Sequence, residues 1–512
     1  MACSGGIFAT LLTLAFSASS LSVEGQAAPV RQEEKMADST LAAGRVFVDK
    51  NGNGLRDRGE KNLRGVIVSD GEKVAVSGAD GSYSFVTANP ARVFAVAPEG
   101  YLIRSRGLQN RLVNGGTGRD IPLYRTSRRR SCRFAAIGDI QADSLGQLKW
   151  AEKSVIAELK ARHDLDFFIH GGDLVNDKMN LLPAALSLLD SVGIPCWNVI
   201  GNHDLDPVRK GKYRSRTPTS WLSEAGSDLG GFIRAGHCFL LLDDVMMGDG
   251  DSLDSGQIAM VRKIEGMLPR KFSLVICLHE PLSLVSNRYE LLKAFGGRRT
   301  LVISAHMHYA YRKEWAPEIH EVCIGASCGQ WWTGQRGADS VPLAIMNCGT
   351  PRGYYVFDMD RKGEAYSYKP VGRDEALSVW VKTADVEAPE LKGLPDGTLA
   401  VNVYGGGEAT KVEASLDGRT WIPLSKTSMM DPTVSKIRLL QSRGGYPEPP
   451  ARRQPLLRAN SPHIWSAFIP ELTGADNKSH PEMIYIRVRD PYGLSSFVYK
   501  GNISTFETLR VE

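Results

Sequence analysis

Little in this chain points to cross-linking, a membrane or a charged polymer. Its 512 residues include 8 cysteines, and no two of them form Cys-x-x-Cys, so a zinc pair and a dithiol redox motif are both excluded. Setting Cys3 aside leaves Cys132, Cys196, Cys238, Cys277, Cys323, Cys328 and Cys348, an odd set that makes a poor disulfide framework. The first four sit in or beside apolar strand-like runs, where a thiol behaves as a small hydrophobe. Cys328 and Arg336 are wrongly separated for the Cys-loop-Arg of cysteine phosphatases, so the sequence argues against thiol chemistry. Lys and Arg exceed Asp and Glu by only +5, too little over this length to indicate nucleic acid. The 52 glycines have no period, which excludes collagen, and no heptad run supports a coiled coil. The apolar stretch Ile7–Ala18 is shorter than the ~20 residues a membrane span needs.

What is present is ordinary globular composition, 42% hydrophobic and 23% charged. At roughly 100–200 residues per domain the length predicts about three domains. Residues 1–27 read as a signal peptide, with Ile7–Ala18 as its apolar centre and Gly25-Gln26-Ala27 as small residues for cleavage. No Lys or Arg precedes the apolar run, so a start at Met36 stays open. The expectation is an exported protein, periplasmic or extracellular, without a transmembrane span once mature. Residues 43–124 show short strands such as Arg45–Val48, Gly65–Val68, Ser82–Phe85 and Arg92–Val96 between Gly-rich turns, which predicts an all-β sandwich. Across 131–322 apolar strands (Arg133–Ile137, Leu165–Ile169, Cys196–Ile200, Phe239–Leu242, Leu274–Leu278, Thr300–Ile303) alternate with helix-like stretches, which predicts a layered α/β domain. Residues 323–512 form a β-rich domain, interrupted by the Pro-rich loop 446–455.

Each strand of the middle domain ends in a polar cluster. In order these are Gly138-Asp139-Ile140-Gln141, Gly171-Gly172-Asp173-Leu174-Val175-Asn176-Asp177, Gly201-Asn202-His203-Asp204, Leu278-His279-Glu280-Pro281 and Ser304-Ala305-His306-Met307-His308. Ligands of open α/β sheets gather at the carboxyl ends of strands, so these clusters should converge on one crevice. Taken singly, a strand-end Asp is more often a helix cap than a ligand, and His170, His237 and His320 read as core histidines. An ordered series at successive strand ends is different. Mixed Asp, Asn and His donors suit Zn, Fe or Mn rather than the all-oxygen cage of Mg or Ca.

The order Gly-Asp-x-Gln, Gly-Asp-x-x-x-Asp, Gly-Asn-His-Asp, strand-end His and His-x-His resembles the calcineurin-like metallophosphoesterase superfamily over roughly residues 131–320. The resemblance implies a four-layer β-sandwich flanked by helices, with a dinuclear centre of two divalent or trivalent metal ions. By position, Asp139, Gln141, Asp173 and His308 would hold one ion. Asp173 as the bridge, with Asn202, His279 and His306, would hold the other. His203 resembles the imidazole that gives a proton to the leaving oxygen, with Asp204 orienting it. The implied function is hydrolysis of phosphoric esters, mono- or diester, by a bridging water or hydroxide. Gln141 departs from the family, standing where most members have His, which should weaken the first ion or favour a harder one. The stretch Gly325–Gly334 with Trp331 and Trp332, followed by Cys348–Tyr354, is similar to the C-terminal module of a bacterial exported subgroup that also carries an N-terminal β module. Cys348 stands where that subgroup has Asp.

Trp331 and Trp332 are candidates for an aromatic wall beside the metals, against the alternative of interdomain packing. The run Arg209-Lys-Gly-Lys-Tyr-Arg214-Ser-Arg216 follows the Asn202 loop and would draw an anionic substrate, with Arg214 as the candidate contact, unless it is a solvated surface loop. Asp49, Asn51, Asn53, Asp57 and Glu60 match a twelve-residue calcium loop, with an ion-free Asx-rich turn as the alternative. The expected substrate is a phosphorylated small molecule, glycan or protein, without nucleic acid specificity. A second class stays open, an extracellular glycan- or cell-wall-binding protein with a vestigial phosphoesterase centre.

Overall fold

The computed structural model describes residues 39–502 apart from 105–106, 110–119, 211–212, 246–251, 375, 383–387, 445–457, 474–482 and 494–496. Residues 1–27, where a signal peptide is expected, and the Pro-rich loop lie outside the described residues. Two sheets make the centre of the molecule. A six-stranded sheet runs, edge to edge, Gly363–Pro370, Gly353–Asp360, Ser131–Ile137, Phe167–His170, Pro195–Asn198 and Gly107–Leu108. A nine-stranded sheet runs Ala310–Ala316, Ile319–Ile324, Thr300–Ser304, Ser273–Cys277, His237–Leu241, Gly230–Arg234, Phe94–Ala97, Ile67–Ser69 and Val74–Val76. Within each sheet the strands that carry the polar clusters run parallel to one another, for example Phe168↔Ala135, Phe168↔Cys196 and Val275↔Leu301. Their carboxyl ends therefore share one edge.

The two-residue period of a strand decides what each sheet covers. Phe239 and Leu241 face the other sheet, while Cys238, Leu240 and Leu242 face the helices Ser255–Met267 and Arg288–Ala294. Between the sheets, aromatic rings interleave. Phe134 stacks on Phe167 at 4.8 Å and on Phe357 at 4.9 Å, and meets Phe239 edge-on at 5.6 Å. Trp197 stacks on Phe232 at 4.2 Å. The helical stretch 145–161 and the helix Leu182–Asp190 add buried apolar residues to the core of the six-stranded sheet, completing a helix–sheet–sheet–helix sandwich.

The N-terminal β module does not close on itself. Thr40–Val48, Ser82–Thr87, Ile121–Arg125 and Tyr101–Leu102 form a four-stranded sheet, but the module's remaining strands extend the two central sheets. Phe94–Ala97 pairs in parallel with Gly230–Arg234 (Gly231↔Val96). The reason is burial on both faces: Phe94 and Val96 pack in one core and Ala95 and Ala97 in the other. A strand apolar on both sides does not suit a half-solvated sandwich. Arg92, just ahead of it, forms ion pairs with the buried Asp228 (2.9 Å) and Asp243 (3.3 Å). The C-terminal module is a seven-stranded antiparallel sheet from Leu377–Val381 to Phe497–Asn502, while Gly353–Asp360 and Gly363–Pro370 belong to the central sandwich. Among the described residues no helix is long and apolar enough to cross a membrane.

Candidate metal centre

All seven expected metal ligands lie at the shared strand edge, held by an unusual backbone. Asp139 (φ 46°), Gln141 (43°), Asp173 (53°), His306 (64°) and His308 (51°) occupy the left-handed region, a conformation that costs a non-glycine residue on the order of 1–3 kcal/mol and that clusters at functional sites. The loops fit only because glycine lines them. A Cβ at Gly201 would collide with the Asp173 backbone and carboxylate, and one at Gly172 with the His279 ring.

The side chains converge at hydrogen-bonding distance. His279 Nε2 and Asn202 Oδ1 are 3.1 Å apart, His306 Nδ1 and Asn202 Oδ1 3.0 Å, and His306 Nδ1 and His279 Nε2 3.1 Å. Asp173 Oδ1 lies 3.4 Å from His279 Nε2, and Asp173, His279 and His306 place one ligand atom each within 4.8 Å of one another. Beside them His308 Nε2 is 3.6 Å from Asp139 Oδ1, and Gln141 Nε2 donates to Asp173 Oδ2 at 3.2 Å. The outer nitrogens are tied back: His279 Nδ1 pairs with the Gly171 carbonyl (2.8 Å) and His308 Nδ1 with the Gly329 carbonyl (2.6 Å). With Nδ1 held by a carbonyl, each ring presents its Nε2 to the cluster, the usual outer support of a metal-bound imidazole.

Burial and charge agree with a cation site. Asp139 Oδ1 and Gln141 Oε1 are buried and have no hydrogen-bond partner among the described residues. Burial pushes the Asp139 carboxyl well above the usual range, and it pushes His306 and His308 down to about 4. Burial would lower His279 as well, but the Asp173 carboxylate reverses that and raises it well above the ordinary value. Nitrogen and oxygen donors with two unpartnered buried oxygens fit a divalent metal ion. Gln141 brings an amide rather than an imidazole to this cluster, its Nε2 on Asp173 Oδ2 and its Oε1 buried without a hydrogen-bond partner among the described residues.

One expected role moves to another residue. Asp204 does not orient His203: it is buried, and its carboxylate accepts the backbone N–H groups of Leu174 (2.8 Å), Val175 (3.0 Å) and Gly201 (3.0 Å). It clamps the Asp173 loop to the Asn202 turn. The carboxylate beside the imidazole is Asp177, with Oδ1 3.1 Å from His203 Nδ1. Asp177 was within the second polar cluster, yet its contact depends on a left-handed backbone (φ 56°) that spacing does not reveal. Burial opposes protonation of His203, but Asp173 and Asp177 outweigh it and raise the pKa.

The two tryptophans part company. Trp332 is buried, donates its indole N–H to the Ile140 carbonyl at 2.8 Å and packs near Trp150, so it is a packing residue. Trp331 lies 5.0 Å from the His308 ring, beside the cluster. Arg214 is in the hairpin Asp206–Lys210/Tyr213–Thr217, and its side chain is outside the described part. The hairpin residue found at the site is Arg216, whose Nη1 is 3.2 Å from Asp177 Oδ1 and also donates to the Asn202 carbonyl.

In the 49–60 loop the oxygens are already used. Asp49 accepts N–H bonds from Gly52 and Gly54 and the Tyr124 hydroxyl, while the amides of Asn51 and Asn53 both donate to Asp57 Oδ2. Glu60 accepts from the backbone N–H groups of Lys50 and Asp57.

An α/β/β/α sandwich with a buried histidine–carboxylate–amide cluster at its strand ends defines a metal-dependent phosphoesterase. Residues 132–310 match the family "Calcineurin-like phosphoesterase" and residues 321–495 match "C terminal of Calcineurin-like phosphoesterase", and the chain belongs to the calcineurin-like phosphoesterases. That family uses divalent metal ions and acts on phosphorylated substrates. No curated protein sequence matches. Among solved structures, a dimetal phosphatase from Danio rerio is similar at 11% identity and TM-score 0.32, covering 46% of this chain and 99% of that one. GAP50, described as the anchor in the inner membrane complex of Plasmodium, is similar at 16% identity and TM-score 0.32, covering 48% and 87%. A 5'-nucleotidase from Candida albicans is similar at 12% identity and TM-score 0.26, covering 47% and 52%.

Proposed function

We propose that the protein hydrolyses phosphoric esters at a two-metal centre, one ion held by Asp139, Gln141, Asp173 and His308 and the other by Asp173, Asn202, His279 and His306. The observation that carries this is the meeting of Asn202 Oδ1, His279 Nε2 and His306 Nδ1 within 3.0–3.1 Å of one another. A shared cation would take up the lone pairs of all three at once. When bound, the ions supply Lewis acidity toward the phosphoryl oxygens and acidify the attacking water. The chain's own part is positional and protonic. His203, kept protonated by neighbouring carboxylates, gives its proton to the departing oxygen, and Asp177 orients and charges it. Asp204 holds the Asn202 turn against the Asp173 loop, fixing the distance between donor and ligands. Trp331 walls the crevice next to His308.

Metal analysis with assay on p-nitrophenyl phosphate and bis-p-nitrophenyl phosphate tests this reading. Two equivalents of metal and turnover abolished in Asp173→Asn are expected, and the ratio of the two rates distinguishes monoesterase from diesterase. Metal-loaded protein without turnover on either would favour a glycan-binding protein with a vestigial centre. The leader at 1–27 supports export, which secretion of the full-length chain with loss of that segment would test. In the 49–60 loop, the internal hydrogen bonds favour a self-closed Asx turn over a calcium cage.

A further inference from the structure

The mechanism above accounts for His203 and Asp177 but leaves the cation beside them unused. Arg216 Nη1 lies 3.2 Å from Asp177 Oδ1, the same oxygen that lies 3.1 Å from His203 Nδ1. Imidazole and guanidinium therefore share one carboxylate oxygen and stand within a few ångström of each other. His203 marks the side of the crevice from which the alcohol departs, so Arg216 stands on the leaving-group side. The Arg216 side chain is 39% exposed, and among the described residues its contacts to Asp177 and Asn202 both fall on Nη1 rather than on the three N–H groups of Nε and Nη2.

Charge along the hairpin points the same way. Between Val208 and Ser220 the sequence has five basic residues and no acidic one. The register sets Arg209 directly opposite Arg214 and Pro207 opposite Arg216, so positions 209, 214 and 216 share a face of the hairpin.

We infer that Arg216 recognises the leaving group, selecting phosphoric esters whose alcohol carries a second anionic group, a carboxylate or a phosphate. The inference rests on the proposed hydrolysis and adds a substrate class to it. A guanidinium suits either anion, because its planar fork donates in pairs.

Three aryl phosphates test it: 3-carboxyphenyl phosphate, its neutral isostere 3-carbamoylphenyl phosphate, and 3-(phosphonomethyl)phenyl phosphate. Metal-loaded wild-type protein is expected to favour the anionic esters over the carbamoyl ester in kcat/KM by about tenfold, equivalent to ~1.4 kcal/mol. The larger preference tells carboxylate from phosphate. Arg216→Gln should collapse that ratio toward unity and Arg216→Lys should keep part of it. Because both substrates meet the same preparation, the ratio is independent of how much of a variant is folded, and a purely structural role for Arg216 would lower all three rates alike. Calorimetric binding of 3-hydroxybenzoate against 3-hydroxybenzamide gives the same comparison without turnover. Equal rates on all three esters, or an unchanged ratio in Arg216→Gln, overturns the assignment while hydrolysis stands. No turnover of any of them sinks the hydrolytic reading and this inference with it.

Discussion

His203 Nδ1 lies 3.1 Å from Asp177 Oδ1, while the neighbouring Asp204 is spent on three backbone N–H groups. The two carboxylates therefore fail differently. Asp177→Asn removes one of the two carboxylate charges that raise the His203 pKa, and general acid catalysis contributes roughly 10²–10⁴-fold where the leaving oxygen needs a proton. We expect turnover of an alkyl phosphate to fall at least about tenfold more than turnover of p-nitrophenyl phosphate, whose phenolate departs readily. Equal losses on the two substrates would remove Asp177 from the leaving-group step.

Asp139 gives a prediction of opposite sign for stability and metal. Its carboxyl is buried, with its pKa pushed up, so in chelator-treated protein it is a liability. Asp139→Asn should melt at or above the wild type after chelation. Added metal at about a hundred times its Kd should stabilise the wild type by ~2.7 kcal/mol and the variant by less. A chelated variant melting well below chelated wild type would contradict a cation-binding role.

The parts of this site that spacing could show were legible. Asp139, Asp173, Asn202, His279, His306 and His308 each follow an apolar strand, and parallel strands carry their ends to one edge. Asp177 and Arg216 were visible as residues but not as partners, because a left-handed backbone at Asp177 and the hairpin's return bring them to His203. The N-terminal strands misled for a related reason. A four-residue apolar run such as Phe94–Ala97 looks the same whether it closes its own sheet or extends another, and only its burial on both faces separates the two.

His463 supplies a pH prediction away from the centre. It is fully buried, its Nδ1 lies 2.5 Å from Asn402 Oδ1, and burial pushes its pKa from 6.5 down to about 3. Below pH ~6.5 the unfolded chain takes up a proton that the folded chain refuses, so the contribution is complete above that value and is lost as pH falls toward the folded pKa. The loss is on the order of 1.4 kcal/mol per pH unit in that window. Urea denaturation at pH 7 and pH 5 should show a shallower loss in His463→Gln than in wild type. His170, lowered to about 3, and His237, His306, His308 and His320, each lowered to about 4 chiefly by burial, would add to the slope. An unchanged slope in the variant would exclude His463 as a source.

Arg92 fastens the N-terminal strands to the sandwich, and its loss should register as global stability rather than activity. Its guanidinium pairs with Asp228 and Asp243, whose side chains are wholly buried. The two carboxylates face the same cation, and burial together with Asp228 pushes the Asp243 carboxyl well above the usual range. Arg92→Met leaves two acids buried without their counter-charge, and breaking such a pair costs roughly 3–5 kcal/mol. The triple variant with Asp228→Asn and Asp243→Asn removes the uncompensated charge as well, so it should recover a large part of that loss, whereas a merely local packing defect at Arg92 would persist. Urea midpoints of wild type, single and triple variants decide between the two, and a triple variant no more stable than Arg92→Met would show that charge burial is not what the arginine offsets.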